Sequence, residues 1–175
     1  LKGGINVILQ ISVKDILKGL SDNSKDPVFL KALEDADILQ KNSNDPYVES
    51  FFTAFENLSD QTKLSSPDIF ANRTLSDQIN FEMSNEEVKP IIRTKIDESI
   101  ISAFEVLRKR IDKFGVTQPN IQRLGVSGRI LVELPGLDDP MRIKSLLGKT
   151  ANLTFRFVTN NSEDSFGAEK LEYED

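Results

Sequence analysis

The sequence predicts an α+β fold in which a helical segment interrupts a small antiparallel sheet. Three observations predict it. Residues 4–13 alternate apolar and polar side chains, the period of a strand with one buried face. Residues 14–64 switch to the three-and-four spacing of helices. From Glu98 to Gly136 the chain then reads helix, strand, turn, strand.

In the first strand Ile5, Val7, Leu9, Ile11 and Val13 point one way, and Asn6, Ile8, Gln10 and Ser12 the other. Gly3 and Gly4 before it permit a tight entry or a close backbone neighbour. A short helix follows over Val13 to Leu20, ended by the turn-rich SDNSKDP. Asp26-Pro27 is a helix start, an N-cap followed by proline at the first helical position. That helix carries Val28, Phe29, Leu33, Ala36 and Leu39 or its neighbours. Asn44-Asp45-Pro46 repeats the signal before Val48, Phe51, Phe52, Phe55 and Leu58, so the two helices form an αα-hairpin. The phenylalanine stripe reads first as core and only second as a peptide groove.

Residues 60–86 are less regular, with a helical turn near Asp68 to Ala71 and with Leu75 and Ile79 packing on the helices. Ser84 and Glu87 form a capping box for a long helix over residues 86–114. Pro90 lies in its first two turns, where proline is tolerated best. Ile96, Ile100, Ala103, Phe104, Leu107, Ile111 and Phe114 make one apolar stripe. Lys109, Arg110 and Lys113 crowd the last turns, where the helix dipole favours cations, and Gly115 supplies a left-handed cap. Asn120 to Val126 and Arg129 to Leu134 read as a hairpin joined by Ser127-Gly128. Ile130, Val132 and Leu134 share its inner face, and Leu131 and Glu133 the other. Asp138 and Asp139 could be read as a catalytic dyad or a metal site, but Asp139 before Pro140 is better read as the cap of a helix using Met141, Ile143, Leu146 and Leu147. Ala151 to Val158 is the last strand, with Leu153, Phe155 and Phe157 inward and Asn152, Thr154 and Arg156 outward. Residues 159–175 are acidic and polar, without a core of their own. With the insertion set aside, the order is β-α-β-β-α-β, the ferredoxin-like arrangement.

Composition narrows the functions. The 175 residues are 38% hydrophobic and 29% charged, ordinary for a globular chain with a real core. The net charge of −6 argues against nucleic acid, which needs clustered Lys and Arg. An RNA-binding version of this topology would also need stacking aromatics on the third strand, Arg129 to Leu134, which has none. With neither His nor Cys, the usual general base, thiolate ligands and disulfides are all missing. An acylphosphatase-like hydrolase would need an anion loop after the first strand, where Val13-Lys14 leads into a helix instead. No stretch reaches the roughly 18–20 apolar residues that span a bilayer. The chain opens inside a strand motif rather than a signal peptide, and so reads as a piece of a longer protein.

Three separated blocks carry a resemblance. LKGGINVILQI opens the chain, LRKRIDKFGVTQPNIQRLG begins at Leu107, and RILVELPGLDDPMRIKSLLGKTANLTFRF begins at Arg129. In this order they resemble the first periplasmic domain of the SecD/SecDF family, accessory membrane subunits of the bacterial Sec protein translocase. The resemblance covers residues 1–13 and roughly 96–158; residues 14–95 depart from it and read as an insertion. It implies a ferredoxin-like base (1–13 and 96–158), an inserted helical subdomain (14–95), and a polar linker or truncated entry to a further region (159–175). It also implies a domain on the periplasmic side of the inner membrane, in a membrane-embedded parent. Such a domain assists proton-motive-force-dependent translocation by holding or guiding emerging polypeptide. The implied partners are the unfolded preprotein, the SecF half and the SecYEG channel, with no nucleic acid, no cofactor and no enzymatic activity. The family's proton-coupling residues belong to its membrane region, so none is carried over to this chain, and no catalytic, cofactor-binding or metal-ligating residue is assigned. A binder of unfolded segments needs shallow apolar spots or sheet edges. The candidate polypeptide contacts are therefore Ile8, Leu131, Phe51 and Phe55. The alternative is a ferredoxin-like small-molecule regulatory or oligomerisation domain.

Overall fold

The structure, a computed structural model, describes residues 4–58, 61–125, 128–137, 139, 141–142, 145–146 and 155–158. The chain is α+β. It divides into two compact units, Leu1–Ser12 with Ser99–Asp175, and Val13–Glu98.

The first unit is built on β1 (Gly4–Ile11), β2 (Asn120–Leu124), β3 (Arg129–Pro135) and β4 (Phe155–Val158). The sheet is antiparallel with strand order β2-β3-β1-β4. The alternation of β1 decides its faces: Val7, Leu9 and Ile11 are buried, as are Ile130, Val132 and Leu134 of β3. Among the described residues, Ile100, Ala103, Leu107 and Ile111 of the helix that precedes β2 are buried as well. Each of the Val, Leu and Ile side chains contributes roughly 1.5–3 kcal/mol on burial. Gly4 allows the close backbone approach its sequence position suggests, since a Cβ there would lie 3.2 Å from the Leu134 carbonyl oxygen.

The hairpin turn differs from the sequence expectation. Leu124 pairs with Arg129, so four residues, 125–128, connect the strands rather than two. Gly125 takes φ +64° and Gly128 φ +73°, so β2 ends before Val126. Gly128 also accepts the Ile11 amide at 2.9 Å, tying the turn to the end of β1. Of the helix expected after Pro140, Met141, Arg142, Ser145 and Leu146 are helical, and the Asp139 carboxylate accepts the Met141 amide at 3.0 Å. The expected strand residues 151–154 and the polar segment 159–175 lie outside the described residues.

The second unit contains α1 (Val13–Leu20), α2 (Pro27–Lys41), α3 (Tyr47–Leu58), and the first part of α4 (Asn85–Phe114). Val13 opens α1, with the bounds that its helical reading gave, and β1 stops at Ile11 short of Val13. Asp26 caps α2 by accepting the Val28 and Phe29 amides. The irregular stretch also holds a 3₁₀ turn at Arg73–Leu75, capped by Asn72, that no periodicity signalled. Leu75 and Ile79 are buried. Phe51 sits at the centre of an aromatic cluster, with ring centroids 5.7 Å from Phe29, 6.0 Å from Phe55 and 6.3 Å from Phe70.

Polar contacts fix the helices at two places. Lys14 Nζ meets Asp37 at 2.6 Å, and the Tyr47 hydroxyl donates to the same carboxylate at 2.9 Å. Burial, then the Asp37 contact, pushes the Tyr47 phenol far above its ordinary range, so it remains a donor. Arg93 forks onto Glu49 at 2.7 and 3.1 Å, and Lys89 reaches Glu56 at 2.6 Å. Both cations lie over the Phe52 ring, 5.2 and 5.8 Å from its centroid.

The capping box of α4 forms as the sequence requires. The Ser84 amide donates to Glu87 Oε2 at 2.8 Å and the Glu87 amide to Ser84 Oγ at 3.2 Å. The Ser84 amide, and then its hydroxyl, hold the Glu87 carboxyl below its ordinary value of 4.5. A carboxylate lowered on folding stabilises fully above its unfolded value and loses that contribution as pH falls through the lowered one. The melting temperature of Glu87→Gln should therefore fall furthest below wild type above pH 4.5, with the gap closing at lower pH. Thermal melts across this range check it; a gap that widens on acidification would contradict the assignment.

Candidate polypeptide-contact face

The strand register brings together two of the four sequence candidates. Ile8 of β1 is the direct cross-strand partner of Leu131 of β3. Paired residues of an antiparallel ladder share one face, with Cβ atoms about 4.5–5.5 Å apart. Ile8 and Leu131 are half-buried, on the face away from the buried Leu9 and Val132. Gln122 of β2 continues the same row beyond Leu131.

Polar rows frame this apolar pair. On one side Asn6, Glu133 and Asn120 are in register, and on the other Arg156, Gln10 and Arg129, with the apolar Leu124 ending that row on β2. Asn120 Nδ2 donates to Glu133 Oε2 at 2.9 Å, and Gln122 Nε2 to Asn120 Oδ1 at 3.2 Å. The face is thus a short apolar strip between hydrogen-bonding rims. It suits weak, sequence-tolerant contact with an extended chain and offers no nucleophile. β2 is an end strand of the sheet, so its outer backbone groups have no strand partner among the described residues.

The other two candidates are not on a surface. Phe51 and Phe55 have no exposed area; they lie in the core of the helical unit, where Phe51 packs against Phe29, Phe55 and Phe70. The groove reading of their stripe fails for that reason. The apolar side chains that do reach the surface of this unit are others. Phe81 is 66% exposed and Ile38 58% exposed. Phe81 lies between Asn80 and Glu82, outside any helical period, and an aromatic without periodic companions is the signal that could have found it.

Among the described residues no three metal-ligating side chains cluster. Nor is any described helix long and apolar enough to cross a membrane. Asp139 is engaged at the Met141 amide, while its neighbour Asp138 lies outside the described residues.

Residues 100–160 match the family described as Protein translocase subunit SecDF, P1 domain, N-terminal. The chain is 35% identical to the protein translocase subunit SecD of Rhodothermus marinus over 91% of its length and 25% of that protein's. It is 28% identical to SecD of Escherichia coli K12 over 96% of its length and 27% of that protein's. SecD of Endomicrobium trichonymphae is 45% identical over a shorter stretch, 46% of this chain and 16% of that protein. The chain thus spans about a quarter of the first and second of these relatives and less of the third. No solved structure matches it. An alignment over 91% of the chain necessarily includes most of Val13–Glu98.

The two placements predict opposite mutational costs. Phe51→Ala should destabilise the helical unit by about 3–5 kcal/mol, the cost of emptying a core aromatic site. Leu131→Ala should cost under about 1.5 kcal/mol, because its side chain is only half-buried. Denaturant unfolding of the two variants distinguishes them; comparable losses would mean that the sheet face is covered.

Proposed function

We propose a function from the family to which the chain belongs, the SecD-type protein translocase subunits represented by the P1 match at residues 100–160. The chain is a periplasmic part of a membrane-embedded export subunit. It assists proton-motive-force-dependent translocation by holding or guiding polypeptide as it emerges. Its partners are the unfolded preprotein, the SecF half and the SecYEG channel. It carries no catalytic centre of its own.

One observation carries the polypeptide-holding part of this reading. Ile8 and Leu131 are far apart in sequence yet lie side by side on a half-open sheet face, between polar rows. A translocating chain presents every side-chain type, so its holder must gain little from any one of them. A short apolar row, Ile8 and Leu131 with Val158 in register beside Ile8, framed by largely polar rows, meets that requirement. The end strand β2 adds backbone groups, which recognise any extended segment whatever its sequence.

The sheet-bearing unit is a ferredoxin-like base formed by residues 1–13 and 96–158, with residues 14–95 inserted as a helical subdomain. The strand order β2-β3-β1-β4 supports this, since β-α-β-β-α-β connectivity places its first and third strands at the centre of the sheet.

The test is binding of the purified chain to a fluorescently labelled secretory polypeptide, unfolded and folded. The chain should bind the unfolded form selectively and weakly. Ile8→Asp and Leu131→Asp, each verified by thermal melt, should lower affinity about tenfold, or 1.4 kcal/mol. Wild-type affinity in both variants would move the contact elsewhere. No binding by the folded chain would leave it the role of structural base or lever.

A further inference from the structure

The first unit has a cleft that the polypeptide-holding reading does not use. It measures about 500 Å³ and is lined by Arg110, Lys113, Phe114, Arg142, Ser145 and Leu146. The first three come from the last turns of α4, and the others from the helical residues after Asp139. Three of the six carry positive charge and none carries negative charge. This is notable in a chain whose net charge is −6.

The helix dipole accounts for part of this. Cations near the C-terminus of α4 offset its partial negative charge, which explains Arg110 and Lys113 as local residues. It does not explain Arg142, which arrives from a separate segment. The Arg142 guanidinium carbon lies 5.1 Å from the Phe114 ring centroid, so the ring holds its planar fork at the cleft wall. A fork fixed in this way loses less entropy on binding an oxyanion than a free one does. Lys113 is exposed at the rim, and Ser145 supplies a hydroxyl donor. Phe114 and Leu146 give the same cleft an apolar side.

We propose that this cleft binds a phosphate-class oxyanion joined to an apolar group, with Lys113 and Arg142 on the anion and Phe114 and Leu146 against the apolar part. Two sources share that chemistry, the headgroup of an anionic phospholipid and a free phosphate compound. The inference rests on the cleft alone and stands or falls independently of the polypeptide-holding role.

The experiment is a titration of the chain followed by amide NMR. The probes are dihexanoylphosphatidylglycerol below its micelle concentration, dihexanoylphosphatidylcholine, and inorganic phosphate. Saturable shifts are expected at Lys113, Phe114 and Ser145 with the anionic probes. Affinity should fall about tenfold in the folded Lys113→Gln/Arg142→Gln variant, and again on raising salt. The phosphatidylglycerol binding at least about fivefold more tightly than inorganic phosphate upholds an anion joined to an apolar group and identifies a lipid-type ligand; equal affinities would show that Phe114 and Leu146 hold no apolar group and would overturn that part of the proposal. No saturable shifts with either anion would overturn the proposal. So would an unchanged affinity in the double variant, or equal, salt-independent binding of the phosphatidylcholine.

Discussion

The place of β1 at the centre of the sheet constrains everything else in the first unit. It pairs with β3 on one side and β4 on the other, so its backbone is spoken for along both edges. Only its two faces remain to be used, and strict alternation divides them. Val7, Leu9 and Ile11 go to the core, which leaves Asn6, Ile8 and Gln10 on the far face. The same period acts on β3, where Ile130, Val132 and Leu134 are buried and Leu131 is turned away. The make-up of the far face therefore follows from the core: an apolar residue at position 8 or 131 has nowhere else to go.

The helical unit is held by different means. Its centre is aromatic, with edge-on rings of Phe29, Phe51 and Phe70 closing one cluster. Its perimeter is held by charge pairs, in which Arg93 and Lys89 join α4 to Glu49 and Glu56 of α3 across the Phe52 ring. These pairs are partly exposed, so they set the alignment of the helices more than they add stability. The apolar area of Phe51 and Phe55 is used up inside the unit, and for that reason a stripe that looked available in sequence is not.

Local signals were the legible part of the sequence. The alternation of β1, the Asp26-Pro27 start, the Ser84/Glu87 box and the positive φ of Gly115 all depend on residues within one turn of each other. The hairpin was legible in kind and wrong in detail. A two-residue turn at Ser127-Gly128 would set Val126 opposite Arg129, whereas the structure sets Leu124 there. That two-residue slip conserves the face of every side chain, because the strand period is two, and so the inner and outer assignments survived it. What covers a helix stripe was not legible. Phe29 and Phe70 reach Phe51 from about twenty residues away on either side, and no local pattern announces such a meeting. The cleft was hidden likewise: Lys113 looked complete as a dipole partner until Arg142 was placed beside Phe114.

The central claim is that one face of this sheet meets the translocating chain and the other does not. It is tested most directly in the full-length parent, in membrane vesicles active for export. A photoreactive amino acid would be placed singly at positions 7, 8, 131 and 132, with a secretory polypeptide stalled in transit. The account predicts cross-links to that polypeptide from 8 and 131 and none from the buried positions 7 and 132. Silence at 8 and 131, or equal yields from all four positions, would contradict it.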